Sequence, residues 1–176
     1  MLETSRLILR PFAGRDHAPF AELNADRQVM RHFPAPLTRA ESDAMIARLA
    51  ARRLTDGIAF AAVERRADGA FLGMAGLSRV AAGPLAGFTE IGWRFARHAW
   101  GQGYATEAAR AWAAHGFATL GLTEIVAFTV PANLPSQAVM RRLGMRRDAA
   151  RDFDHPALPA GHPLAPHVVY TLDRPA

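Results

Sequence analysis

The sequence contains no cysteine and no lysine. Without cysteine there is no disulfide framework, no thiolate metal site and no sulfur nucleophile, and a cytoplasmic location is the expectation. Without lysine, the net charge of +5 rests entirely on arginine, scattered as at Arg10, Arg39, Arg52, Arg79, Arg110, Arg141 and Arg174. No basic run interleaved with aromatics occurs, so a nucleic-acid groove is not expected and a small anionic ligand suits the pattern better. Uninterrupted apolar runs of about 18 to 20 residues are also missing, and "MLETSRLILRPF" lacks the charged-then-apolar form of a signal peptide, so neither a membrane partner nor export is expected. Internal repeats and a dividing linker are absent too. The 176 residues read as one domain, long enough to bury roughly 70% of the unfolded chain's surface.

What is present alternates between elements. "RLILR" (Arg6 to Arg10) reads as a short strand ended by Pro11, and Asp16 to about Phe33 as one or two short helices. Thr38 and Glu41 form a capping-box pair, which predicts a helix from about Arg39 to Arg53. Ile58–Arg65, Ala70–Val80 and Gly87–Phe95, separated by the turn signals Ala67-Asp68-Gly69 and Ala82-Gly83-Pro84, form a three-stranded antiparallel meander. From Tyr104 the apolar positions Ala105, Ala108, Ala109, Trp112, Ala113, Phe117 and Leu120 follow helical spacing, with Gly121 as the residue just past the end. "EIVAFTV" (Glu124 to Val130) is a buried strand, "NLPSQAVMRRLGM" a short helix ending at Gly144, and "HVVYTL" (His167 to Leu172) a closing strand. Arg151 to Pro166, rich in proline and histidine, is a long ordered loop. The class is α+β.

"WGQGYATE", Trp100 to Glu107, lies between a strand and a helix. A helix N-terminus offers unpaired N–H groups and the positive end of the macrodipole, and glycine lets a phosphate approach them. The alternative reading is a tight turn that needs glycine dihedrals. A dinucleotide fingerprint fails because Thr106 stands where the third glycine belongs and "EIVAFTV" ends without an acidic residue; a Walker loop fails for want of a lysine.

These residues resemble a known family. Trp100-Gly101-Gln102-Gly103-Tyr104-Ala105, with "TEIGWRF" before and "TEAARAW" after, looks like the acetyl-CoA segment Q/R-x-x-G-x-G/A of the GNAT N-acetyltransferases. Trp100 at the Gln/Arg position is similar to the branch of the ribosomal-protein N-terminal (alanine/serine) acetyltransferases. "NLPSQAVMRRLGM" resembles the family's second segment through Asn133, Ser136, Leu143, Gly144 and Met145. The resemblance covers nearly the whole chain. It implies a mostly antiparallel sheet of about six or seven strands with helices on both faces, and central strands splayed into a cleft for acetyl-CoA as co-substrate. In that cleft the pantetheine arm would pair with backbone at Trp93 and Phe95. The diphosphate would sit on N–H groups from Gly101 to Ala105, with Trp100, Gln102, Tyr104 and Thr106 in the same segment, and Asn133 would reach the arm from the facing edge. Arg141 and Arg142 either meet phosphates, Arg142 being the one assigned, or simply place charge on the last turn of a helix.

For the chemistry, a backbone N–H near Phe95 is the expected oxyanion donor. Glu90, a carboxylate mid-strand among apolar neighbours, is the candidate base, or else an ion-pair partner of Arg79 or another arginine. It is expected to work through one bridging water. Ser136 is the candidate acid and second-segment cofactor contact, or else a first-turn serine beside Asn133 as N-cap. Tyr104 and Tyr170 are the only tyrosines, and neither falls at an obvious place for an acid. His155, His162 and His167 read as parts of a lid over the acceptor, and no metal is expected. The implied reaction moves an acetyl group to a primary amine, on a protein N-terminus or a small molecule, by direct attack. The alternative is a non-catalytic acyl-CoA-binding sensor. A homodimer is compatible with the sequence.

Overall fold

The computed structural model describes residues 1–175. Strands β1 (Leu2–Glu3), β2 (Leu7–Arg10), β3 (Ala61–Arg65), β4 (Phe71–Arg79), β5 (Thr89–Phe95), β6 (Glu124–Thr129), β7 (Arg146–Arg147), β8 (Phe153–Asp154) and β9 (Pro166–Asp173) form one sheet in the order β1-β2-β3-β4-β5-β6-β9-β7, with β8 added on β9. All pairs are antiparallel except β5 with β6. The architecture is therefore α+β, with nine strands where six or seven are expected. The surplus is β1, β7 and β8, two residues each, too short to show any alternation in sequence.

Helices α1 (His17–Ala25) and α2 (Arg39–Asp56) cover one face, and α3 (Tyr104–Ala118) and α4 (Leu134–Arg142) the other. Under α1 and α2, Phe20, Ile46, Leu49, Ala59 and Met74 are buried together; under α3 and α4, Leu9, Val63, Leu77, Ile91, Trp112 and Ile125 form the larger core. The α2 box closes as its residues predict: Thr38 Oγ1 accepts from Glu41 N–H at 3.2 Å, and Glu41 Oε2 accepts from Thr38 N–H at 2.7 Å. The helix continues three residues past Arg53, to Gly57 at φ 75°. Asp16 to Phe33 contains one helix, α1, and then turns. Helix α3 stops at Ala118 with Thr119 as its cap, so Gly121 lies farther out. The Arg151–Pro166 loop contains β8, held by pairing to His167 and Pro166.

A buried ion cluster fixes α1 on the sheet. Arg10 holds Asp16, 1% exposed, at 2.6 Å and Glu64 at 2.7 Å. Burial opposes ionisation of Asp16, but the Arg10 guanidinium and the Ala13 N–H outweigh it and hold the carboxyl below its ordinary range.

Strands β5 and β6 meet only at Glu90 and Val126. Beyond that point they diverge, leaving one edge of Ile91–Phe95 without a strand neighbour.

Candidate functional site: a cleft between diverging strands

The divergence opens a cleft of about 1440 Å³, larger than the roughly 300 to 1,000 Å³ that a single small ligand needs. One wall is the turn entering α3. Gly101 (φ 73°) and Gly103 (φ 80°) adopt left-handed backbone, which favours glycine. Gly103 is the N-cap and no side chain caps the helix, so the first-turn N–H groups are left free of side-chain acceptors. Residues present thus fit a diphosphate on backbone.

This wall is clamped by side chains that also line the cleft. Glu107 accepts from Thr4 Oγ1 at 2.5 Å, Arg6 N–H at 3.0 Å and Arg6 Nε at 2.7 Å. Arg6 also donates to the Gln102 carbonyl at 3.0 Å and lies 4.6 Å over the Tyr104 ring. Sequence reasoning assigns Arg6 and Glu107 no part in the site. Glu107 in the first turn of a helix is an available signal, but its partner lies 101 residues away.

Trp93, Phe95, Trp100, Gly101, Gly103, Tyr104, Ala105 and Thr106 line the cleft, as do Asn133, Ser136 and Arg142 from the opposite side. Gln102 does not: its side chain turns back to the His98 carbonyl at 2.7 Å. Trp100 Nε1 donates to the Phe95 carbonyl at 2.8 Å, so that acceptor is already engaged. Asn133 Oδ1 accepts from Ser136 N–H at 3.3 Å and Asn133 Nδ2 donates to Thr129 Oγ1 at 2.9 Å, which makes it the N-cap of α4. The Ser136 hydroxyl makes no hydrogen bond among the described residues and faces the cleft. Arg142 shares its edge with Arg110, whose Nη2 donates to the Arg142 carbonyl at 3.0 Å. Arg141 instead donates to Tyr170 at 3.3 Å, and the Tyr170 hydroxyl donates to Gln137 at 3.2 Å, both outside the cleft.

The other end of the cleft is built from side chains. Strand pairing aligns Ser78 with Glu90, Gly76 with Gly92, and Met74 with Arg94, so Glu90, Gly92 and Arg94 face α1 and α2. A Cβ on Gly92 would stand 2.9 Å from the Phe60 ring, so the ring fills the gap that glycine leaves between Glu90 and Arg94. Glu90 has no ion pair among the described residues. Burial pushes its carboxyl up to about 7, opposed weakly by Arg52. Arg52 itself donates to Ser78 at 3.1 Å.

On the β6 and β9 side, His167 stacks on Phe153 at 5.5 Å and lies 5.2 Å from His155. Burial lowers the His167 pKa, and with the Ala165 carbonyl 2.9 Å from Nδ1 the neutral ring has its proton there. His155 and His167 line the cleft; His162 accepts from Leu164 N–H at 3.1 Å and does not.

A diverging parallel pair beside a glycine-opened helix matches the cleft that the resemblance implies, and comparison with known proteins gives the family. The acetyltransferase (GNAT) domain model matches residues 6–146, and the chain belongs to that family. It is 29% identical over 162 residues to an uncharacterized N-acetyltransferase, YnaD, of Bacillus subtilis, covering 92% of this chain and 89% of that protein. It is 34% identical over 152 residues to the FsC-acetyl coenzyme A-N(2)-transacetylase of Aspergillus fumigatus, covering 82% of this chain and 64% of that protein. An acetyltransferase (GNAT family) from Bacillus anthracis superposes with a TM-score of 0.82 at 26% identity, over 98% of each chain. The protein is an acetyl-CoA-dependent acyltransferase.

Proposed function

We propose that the protein transfers the acetyl group of acetyl-CoA to a primary amine by direct attack within a ternary complex. The observation that carries this reading is Glu90: a half-buried carboxyl without an ion pair, pushed up to about 7 by desolvation, standing where β5 and β6 separate and in the same cleft as the uncapped α3 N-terminus. Bound acetyl-CoA supplies an activated thioester carbon.

The chain's own groups divide the remaining work. N–H groups from Gly101 to Ala105 hold the diphosphate, with Arg142 toward the nucleotide end. Backbone at Trp93 and Phe95 aligns the pantetheine arm, an N–H near Phe95 faces the thioester oxygen, and Asn133 keeps α4 in register on the facing edge. A base with a pKa near working pH is best placed to take the proton an amine must lose; Glu90 takes it through a bridging water. As the C–N bond forms, the C–S bond breaks. The Ser136 hydroxyl donates a hydrogen bond to the departing thiolate, which takes its proton from solvent. A thiol, pKa about 8.5, is a far stronger acid than an aliphatic hydroxyl, so Ser136 stabilises the thiolate by hydrogen bonding and keeps its own proton.

The acceptor amine belongs to a protein N-terminus or a small molecule. The W-G-x-G-x-A form of the cradle supports the ribosomal-protein branch without selecting a substrate. The test is CoA release on an amine panel with mass analysis of the products. Acetylated amine formed in step with CoA sustains the reading, whereas tight acetyl-CoA binding with no turnover on any amine makes the chain an acyl-CoA sensor.

A further inference from the structure

Arg94 lines the acceptor end of the cleft and no carboxylate pairs with it among the described residues. It is nevertheless held in place. Nη1 donates to Asn24 Oδ1 at 2.5 Å, and Asn24 is fully buried and donates in turn to Ser42 at 3.1 Å. The guanidinium carbon stands 4.2 Å from the Phe33 ring centroid. Nε is sealed from solvent without a partner. Burial draws the guanidinium down to about 10, which still leaves it charged at neutral pH.

A pinned, half-desolvated cation without a counter-ion is unfavourable unless an anion arrives. The cleft offers none. Its carboxylates are Glu90, four strand positions away, and Glu107, consumed by Arg6. A purely structural strut between α1 and β5 would need the single donation to Asn24, yet the outer guanidinium nitrogen, Nη2, is left without a hydrogen-bond partner among the described residues. A polycationic acceptor would be repelled by Arg94.

We infer that Arg94 is a specificity residue and that the acceptor is an amine that also carries a carboxylate, seated with its carboxylate on Arg94 and its amine toward Glu90. This rests on the transferase reading above. Four strand residues span about 13 Å, and the Phe60 ring stands between the two side chains, so the acceptor passes over that ring and its carboxylate and amine need not be adjacent. The same carboxylate could come from a free amino acid or from an acidic residue of a peptide.

The experiment compares kcat/KM for L-phenylalanine, 4-aminobutyrate and 6-aminohexanoate with that for each carboxamide, and for the peptide Ala-Asp-amide with Ala-Asn-amide. In the wild-type protein at least one pair is expected to favour the carboxylate by about ten- to a hundredfold, the range for a charge-assisted hydrogen bond. Arg94→Gln should erase that preference through KM of the carboxylate substrate, leaving the carboxamide and the KM for acetyl-CoA within about twofold; Arg94→Lys should retain part of it. A preference confined to the peptide pair assigns the carboxylate to a peptide side chain. The inference is overturned by equal rates within every pair, by a preference that survives in Arg94→Gln, or by Arg94→Gln weakening both members of a pair alike. The wild-type comparison needs no variant, so poor folding of Arg94→Gln would not rescue the idea. Calorimetry with N-acetyl-L-phenylalanine and its amide, CoA present, separates the two readings. A carboxylate preference that Arg94→Gln abolishes, without turnover of any amine, upholds Arg94 while removing the transferase; no preference in binding or turnover removes Arg94's role alone.

Discussion

The two ends of the cleft are made of different material. The end proposed to hold the cofactor is backbone: left-handed Gly101 and Gly103, an uncapped helix start and an open strand edge at Ile91–Phe95. The end proposed for the acceptor is side chains, Glu90, Arg94, Phe60 and His167, brought together from β5, the segment before β3, and β9. A backbone site recognises a group common to every substrate pair and tolerates little change, because its donors cannot be substituted and only the glycines between them can be spoiled. A side-chain site can be rewritten residue by residue, which is how one fold serves many amines.

The largest expected effect falls at the acceptor end. Glu90→Gln keeps shape and hydrogen bonding but removes basicity, so kcat should drop by about 10² to 10⁴, with acetyl-CoA affinity little changed. Desolvation pushes the wild-type carboxyl up to about 7, so kcat/KM should fall as pH drops below that value, and this acidic limb should vanish in the variant. The sign for stability is opposite. Burial raises the folded-state pKa above its ordinary 4.5, so ionising Glu90 costs the fold stability as pH rises through the interval from 4.5 to 7. Glu90→Gln should therefore be at least as stable as wild type at pH 8 in thermal denaturation. Wild-type kcat with an intact acidic limb would reduce Glu90 to a structural residue.

At the cofactor end, Gly103→Val should weaken acetyl-CoA binding by about ten- to a hundredfold, measured by calorimetry. At φ 80° a β-branched residue is strained, and its Cβ would stand 3.5 Å from Arg6 Nη2 on the cleft wall, so both the turn and the approach to the helix N-terminus would be disturbed. Unchanged affinity in a folded variant would break the contrast drawn above, because the cradle would then not depend on bare backbone.

Between these two in kind but smaller in size is the effect expected at the loop proposed as a lid. His155→Ala should raise KM for the amine several times more than KM for acetyl-CoA, since His155 stands beside His167 and not beside the α3 turn. Equal effects on both substrates would mean that the Arg151–Pro166 loop belongs to both ends.

The same contrast explains what could be read in the sequence. The cradle was legible because its parts are contiguous: Trp100 to Glu107 state a glycine turn and a helix start within eight residues. Glu90 was legible as a carboxylate in an apolar strand, although its freedom from ion pairs was not, because Arg79 and other arginines were available as partners. Arg94, on the same face of β5, turns in the fold to Asn24, 70 residues earlier. Phe60 filling the space over Gly92, and Arg6 reaching Glu107, depend on register between distant strands, for which periodicity has no signal. The extra strands β1, β7 and β8 exist only because a neighbour supplies their hydrogen bonds.

The smallest effect sharpens the boundary between the two ends, at Asn133. The family's second segment implies that this side chain reaches the cofactor arm, whereas its amide is occupied with Ser136 N–H and Thr129 Oγ1. Removing an N-cap costs about 1 kcal/mol, which for a chain of this length lowers Tm by roughly 2 to 4 °C. Asn133→Ala should show that loss with acetyl-CoA affinity reduced about threefold or less, and Asn133→Asp, which caps equally well, should restore Tm. An affinity loss of tenfold or more in both variants, with Tm recovered in the aspartate form, would show that the amide itself touches the cofactor. The facing edge would then join the backbone wall as part of the cofactor end, and the division between the two ends would run between α4 and β9.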